Sequence, residues 1–521
     1  MPREFILKLR EQRLLPPLLI LLAVAFAVFA NTFGAEWSYD DYPVIVENPD
    51  VLSLSNFFAN SYAGRPLREV TFLLDHALFG MQPMGWHVQH IFWHGLCAWL
   101  VWLLAMRLDF GRTVAWIAAL IFLVHPLQVE VVANISHRKE SLSLAFSLMA
   151  LLAYLRGCSE EGRRRLGWLA AAFGLAGVAY LGKQTAVVLV PMFLVCEWAA
   201  LPRERRVLLR WWKLLLAGAV LAGLAFTGWM LVGGGGESYV NGIKEVLPYR
   251  SNWLGEMSFT VYARTVFKSW LFMSAKWLLP VGLAPEYIIA VPDSWFDPWV
   301  LGGMALAGAY LAGTVFLARQ RSPLFLPAAW IGLIFFPTSN VWPLTYLAAD
   351  RYMYAPTAGV ALLAAVALVK LCSGRQRFVC SVTTLLLAIL AGLTFQQNRV
   401  WATQESLWLH AAQVNPTSGF VLNNVGNIHY LKNELPQAYE YYSRAVEINP
   451  LNPSVQYNMG MIFERTGDTQ RALQFYRNFL LLEHPVWYQD RETLKAQLRQ
   501  KYRVRFENGE FVRDVPSGPQ G

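Results

Sequence analysis

Residues 14–42 read LLPPLLILLAVAFAVFANTFGAEWSYDDY, and this stretch decides the fold. Leu14 to Phe33 is an uncharged apolar run, long enough to cross a bilayer at about 1.5 Å per residue. Trp37, Tyr39 and Tyr42 then bracket Asp40 and Asp41 at the membrane–water boundary, where amphipathic rings settle. Carboxylates held near lipid are costly and mark functional sites. A membrane enzyme acting on a lipid-linked donor needs an acid or base at that depth, so Asp40 and Asp41 are the leading catalytic candidates. The run also resembles a signal peptide, but its length and the tie it gives Asp40 to the membrane favour an uncleaved anchor.

Composition extends this reading to the whole chain. Of 521 residues 55% are hydrophobic and only 15% charged, which excludes an ordinary soluble domain and implies a polytopic membrane protein. The net charge of +9 is not a nucleic-acid patch, because the basic residues gather beside apolar runs, as at Arg163-Arg164-Arg165 and 202–213. None of the five cysteines shows CxxC spacing, so neither a disulfide framework nor a metal site is expected.

Apolar windows predict about eleven spans, near 14–33, 86–106, 113–132, 138–155, 166–182, 184–200, 212–232, 298–318, 323–342, 350–371 and 377–396. Basic clusters place the N-terminus in the cytoplasm if 258–282, with Arg264, Lys268 and Lys276, is an interfacial or re-entrant helix. Asp40, Asp41 and the loops 34–85 and 233–297 then lie outside, in a periplasm or a lumen. No ATP is expected there, so a transfer reaction must use a pre-activated, membrane-borne donor.

From about 401 the pattern turns polar and repeats every 34 residues. Gly426 matches Gly460, Ala438 matches Ala472, Tyr442 matches Tyr476 and Pro416 matches Pro450. Small residues let paired helices approach and the tyrosines fill the contact, which is the tetratricopeptide pattern. The expected organisation is all-α: a membrane domain over 1–400, a repeat domain over 401–505 with repeats at 416–449 and 450–484, and a tail over 506–521. Two repeats bury little core alone, so helices at 403–414 and 490–503 should cap them.

Further polar groups fall at the outer ends of predicted spans. Arg65 lies in the first loop. His125, Glu130, His137, Arg138 and Lys139 surround one outer turn, where Arg138 and Lys139 at a helix start would suit a phosphate. His125 reads more simply as a structural helix-end residue. Lys183 stands in an apolar turn and needs an anionic partner. Asp350, Arg351 and Tyr352 open a late span. No nucleotide-binding loop, Ser-His-Asp order or HExxH helix is present in the sequence.

Tyr39-Asp40-Asp41, Arg65-Pro66-Leu67, His125-Pro126 with Glu130, Lys183, and Asp350-Arg351-Tyr352 with Tyr354-Ala355-Pro356 resemble the membrane-and-tetratricopeptide O-mannosyltransferases, within the GT-C glycosyltransferases. The resemblance implies a GT-C-like membrane domain and an inverting enzyme. Such an enzyme moves a sugar from a polyprenyl-phosphate donor to a Ser or Thr hydroxyl of a protein, on the outer face. Asp40 or Asp41 would be the base, and Arg138, Lys139, Lys183 and Arg351 would hold the departing phosphate. Arg65, His125, Glu130, His137, Asp350 and Tyr352 would line the substrate path. No cofactor or metal is implied. The repeats would present the protein acceptor, and a bacterial inner membrane with periplasmic repeats is favoured over an endoplasmic reticulum. Transfer to a glycan or lipid, a transporter for polyprenyl-linked substrates and a non-enzymatic scaffold stay open as alternatives. The sequence names neither the sugar nor the acceptor.

Overall fold

A computed structural model describes residues 14–60, 65–200, 206, 259–341, 344, 346–372, 376–482 and 488–514. It divides into two compact units, residues 1–222 with 263–407, and residues 223–262 with 408–521. The first is helical and apolar, a membrane domain. Among the described residues five helices are long and apolar enough to cross a bilayer, or six if one bent pair counts as a single span. The five lie within Pro83–Arg107, Ile135–Ser159, Gly162–Gly182, Pro298–Arg319 and Arg377–Val400. The expected spans at 14–33, 184–200, 323–342 and 350–371 contain shorter apolar helices, and the expected span at 212–232 lies outside the described residues.

Three of those short helices have the same cause. Leu189–Ala200, Phe325–Phe335 and Pro356–Leu371 each adjoin a tighter 3-10 turn, at Gln184–Val188, Phe336–Thr338 and Asp350–Met353. The turns hold the polar residues that the apolar windows had merged into spans. The bent pair follows the same logic. Arg112–Val124 stops at His125, and Pro126, lacking an amide donor, opens a new direction 54° away for Pro126–Ala133. Glu130 is thereby carried on a separate short turn.

The expected interfacial segment 258–282 contains helix Phe259–Leu278, which is not among the helices long and apolar enough to span. Each of its three cations bonds the loop that follows. Arg264 donates to the Asp293 carbonyl (2.7 Å), Lys268 meets Asp297 (3.2 Å), and Lys276 donates to the carbonyls of Val281 and Gly282 (2.7 and 3.0 Å).

The second unit contains two helical hairpins, Gly419–Leu431 with Leu435–Ile448 and Pro453–Arg465 with Thr469–Leu481. The small residue and the aromatic meet as the repeat requires. A Cβ on Gly426 would lie 2.5 Å from the Tyr442 ring, and one on Gly460 would lie 2.4 Å from the Tyr476 ring. Gly460→Ala is therefore expected to cost about 1–3 kcal/mol through overpacking, read as a lower unfolding midpoint of the repeats. An unchanged midpoint would mean that the ring moves freely aside.

Helix Tyr488–Tyr502 buries Leu494 and Leu498 in the same core. The all-α reading stands, with one small exception in the stretch expected as a tail. Val504–Glu507 and Glu510–Arg513 form an antiparallel hairpin with Val504 opposite Arg513. Asn508 and Gly509 both have positive φ (52° and 81°), the requirement of a two-residue hairpin turn, and Asn-Gly between alternating residues is its sequence signal.

Candidate functional site

The two aspartates, adjacent in sequence, have opposite surroundings. Asp41 is fully buried, and its carboxylate accepts hydrogen bonds from the backbone N–H of Ser136 (2.7 Å) and Ser38 (3.2 Å). Asn134 Nδ2 donates to the Ser38 carbonyl at 2.8 Å. Residues 38–41 are thus fastened to the turn at 134–136. Tyr39 takes a positive φ of 52° inside this clasp, and its hydroxyl pairs with that of Tyr346 at 3.0 Å. Asp40 is left partly open: its side chain is 34% exposed, with Oδ2 3.8 Å from His137 Nε2. An accessible carboxylate on a rigid loop suits a general base, whereas a buried one accepting two amides suits a clasp.

Burial pushes the Asp41 carboxyl up to about 7 despite those two amide donors. The same cause raises Asp75 to about 6. A raised carboxyl means that the folded chain binds more protons than the unfolded chain between the ordinary value of 3.8 and about 7. Stability is therefore expected to fall as pH rises through that window, by at most about 1.4 kcal/mol per pH unit for Asp41 alone, and to level off above it. Asp41→Asn should flatten part of the slope in detergent melts from pH 4 to 8. A slope that survives unchanged would remove Asp41 as its source.

The basic candidates separate just as sharply. Arg138 is fully buried and forms an ion pair with Asp75. It also donates to Gln89 Oε1 (2.6 Å) and to the Trp86 carbonyl (3.0 Å), and lies over the Phe72 ring (5.0 Å). Its two terminal nitrogens are committed to the protein interior. Lys139, the next residue, is half-buried and has no hydrogen bond or ion pair among the described residues. Arg65, Arg68, Glu140 and Asp40 are the charges acting on it. Lys183 meets Glu140 at 2.6 Å, the anionic partner that its apolar turn required.

Arg351 is bound through Glu130. The Arg351 backbone N–H donates to Glu130 Oε2 at 2.7 Å, and the guanidinium pairs with Oε1. The Tyr346 and Tyr352 rings lie 4.8 and 5.4 Å from it. Asp350 instead accepts from the Tyr287 hydroxyl at 2.6 Å, so Asp350 and Arg351 do not pair with each other as a simple structural couple. His125 is structural: it accepts from the Leu127 N–H (3.3 Å), contacts the Trp277 carbonyl (2.9 Å) and stacks on that indole.

Lys183, Arg351, Tyr352 and Glu140 line one small cleft, partly open to solvent. A second, larger and mostly apolar cleft is lined by Trp270, Leu306, Ile331, Phe335 and Met353. Pro356 borders both. Arg138 and His125 line neither cleft. Sequence reading missed Asp75, although a lone carboxylate within Phe72-Leu73-Leu74-Asp75 was a signal. It placed Pro285-Glu286-Tyr287 on an acceptor path at the end of the interfacial helix, and did not foresee the bond from Tyr287 to Asp350.

Residues 71–230 match the dolichyl-phosphate-mannose-protein mannosyltransferase family, and residues 426–467 match the TPR repeat. The chain is 27% identical to protein O-mannosyl-transferase Tmtc3 of Drosophila melanogaster, across 89% of this chain and 58% of that protein. Human TMTC3 is 23% identical across 88% of this chain and 54% of its own length, and human TMTC1 is 26% identical across 87% and 57%. The chain thus spans little more than half the length of these relatives. No solved structure matches.

Proposed function

We propose, from the kinship of this chain to the tetratricopeptide-bearing protein O-mannosyl-transferases, that it is an inverting glycosyltransferase of the membrane. It takes a sugar, mannose first among candidates, from a polyprenyl-phosphate donor and moves it to a Ser or Thr hydroxyl of a protein. The observation that carries this reading is the accessible carboxylate of Asp40, with Lys139, which has no ion pair among the described residues, among the charges around it.

In the proposed step the acceptor oxygen attacks the anomeric carbon as the bond from that carbon to the phosphate oxygen breaks. The hydroxyl proton passes to Asp40, and the polyprenyl phosphate leaves with the electron pair. A single displacement inverts the anomeric centre. Lys139, Lys183 and Arg351 supply positive charge to the leaving phosphate, with Arg65 nearby. Transfer is therefore expected to persist in EDTA. The apolar cleft suits an isoprenoid chain, since it adjoins the charged one at Pro356. Glu130, Tyr352, His137 and Asp350 hold or border these groups, whereas Arg138 and His125 serve the frame. The reaction lies on the outer face, in the periplasm of a bacterial inner membrane or in a lumen.

The test is direct. The purified chain is incubated with radiolabelled polyprenyl-phosphate mannose, glucose or N-acetylglucosamine and with an unfolded Ser/Thr-rich protein. Label in protein, released by β-elimination, supports the reading. Label in a glycan or lipid fraction alone would overturn the protein acceptor, and no transfer from any donor would overturn the enzyme.

A further inference from the structure

The positive φ of Tyr39 (52°) is costly for a bulky residue and persists only where the surroundings impose it. Three contacts hold it. The ring meets the Trp401 indole edge-on at 6.2 Å, and Trp401 is almost wholly buried. The same ring lies 6.3 Å from that of His137, whose Nε2 stands 3.8 Å from Asp40 Oδ2. The hydroxyl shares a hydrogen bond with that of Tyr346 at 3.0 Å, across 307 positions of sequence.

Tyr346 leads to the other half of the site. Its ring lies 4.8 Å from the Arg351 guanidinium, and its carbonyl accepts from the Tyr352 hydroxyl at 3.4 Å. Asp40, Tyr39, Tyr346 and Arg351 thus form a continuous path from the proposed base to a cation proposed for the leaving phosphate. Both tyrosines on this path are buried.

Trp401 is itself fixed, just beyond the last described span, Arg377–Val400. The Glu36 N–H donates to the Ala402 carbonyl at 2.9 Å. Asn398 Nδ2 donates to the Val28 carbonyl (3.1 Å) and to Asn31 Oδ1 (2.8 Å). The chain on either side of the base loop is therefore tied to the segment that carries Trp401.

In a single displacement the attacking oxygen, the anomeric carbon and the leaving oxygen lie in line. The separation of base from phosphate-binding cation must match that line, and a misplacement of about 1 Å can cost about 100-fold in rate. We infer that Tyr39 is a positioning residue for this reaction: its hydroxyl bond to Tyr346 sets the separation of Asp40 from Arg351, and Trp401 holds its ring in the strained turn. Neither Tyr39 nor Trp401 is assigned a contact with substrate. The inference rests on the glycosyltransferase reading above and adds the residues that hold its two halves together.

The test uses the full chain in detergent, the radiolabelled polyprenyl-phosphate sugar that the wild type transfers, and the unfolded Ser/Thr-rich protein. Tyr39→Phe and Tyr346→Phe keep both rings and remove one hydroxyl each. Each should lower kcat of the folded chain about tenfold or more, while the donor KM stays within about threefold, because Arg351 keeps its bonds to Glu130. The double variant should be no slower than the slower single variant, since both substitutions break the same bond. Trp401→Leu should reproduce the loss in kcat, and Trp401→Phe, which restores a ring, should lose less. If Trp401→Leu fails to fold, the hydroxyl variants decide alone. A merely structural pair would lower the melting midpoint and leave kcat of the folded chain unchanged, which would overturn the inference. Losses that multiply in the double variant, or a raised donor KM at unchanged kcat, would overturn it too. Any of these results beside wild-type transfer leaves the enzymatic reading standing. A wild-type chain that transfers nothing overturns that reading and this inference with it.

Discussion

Asp40→Asn is expected to lower the rate of sugar transfer by about 10²–10⁴-fold, the usual contribution of a positioned general base, while leaving the fold intact. The substitution keeps shape and removes only basicity. Its side chain is 34% exposed and its nearest charged neighbour, His137, stands 3.8 Å away, so little packing depends on it. Asp41→Asn should behave in the opposite way. An amide there offers one acceptor where the carboxylate offers two, and it turns a donor toward the backbone N–H of Ser136 or Ser38. The expected loss is about 1–3 kcal/mol of stability, with a smaller effect on rate once the protein is folded. Paired measurements of melting temperature and initial rate separate the two. If Asp40→Asn transfers at nearly the wild-type rate, the base lies elsewhere and the proposed mechanism fails.

Arg138 yields the second large effect. Arg138→Met leaves Asp75 buried without a cation, and breaking such a pair costs about 3–5 kcal/mol. A chain so altered should melt far below the wild type or fail to accumulate. Replacing both partners, Arg138→Met with Asp75→Leu, should recover most of that loss, because a buried ion pair exchanged for apolar groups of similar volume is often neutral. The double variant should then transfer sugar at close to the wild-type rate with an unchanged KM for the donor. A stable double variant with a sharply raised donor KM would instead return Arg138 to the phosphate. The same measurement on Lys139→Met is expected to raise the donor KM with little loss of stability, since no partner is left unpaired.

Much of this protein is written locally. Hydropathy alone marks a membrane protein, because every span must hide its backbone from lipid within its own helix. The repeat at 426–481 is legible because a Gly-to-aromatic contact recurs at fixed spacing, and the structure shows that contact at both places. The hairpin at 504–513 was equally legible in its Asn-Gly turn. It lay beyond the reach of a repeat reading that ended with the last helix.

The sequence by itself therefore determined the class of the chain, its two kinds of domain, and the set of charged residues from which a site is proposed. What only the tertiary structure decided is how the surroundings of two neighbours differ. Successive residues on a helix point about 100° apart, so Arg138 and Lys139 have different surroundings, one an ion pair with Asp75 and the other no ion pair among the described residues. Asp40 and Asp41 part in the same way across a tight turn. Pairing over long separations, as of Glu130 with Arg351 and of Tyr287 with Asp350, leaves no trace in local pattern. It is set by how helices pack, and in a low-dielectric interior that packing determines whether a charge is free or already satisfied.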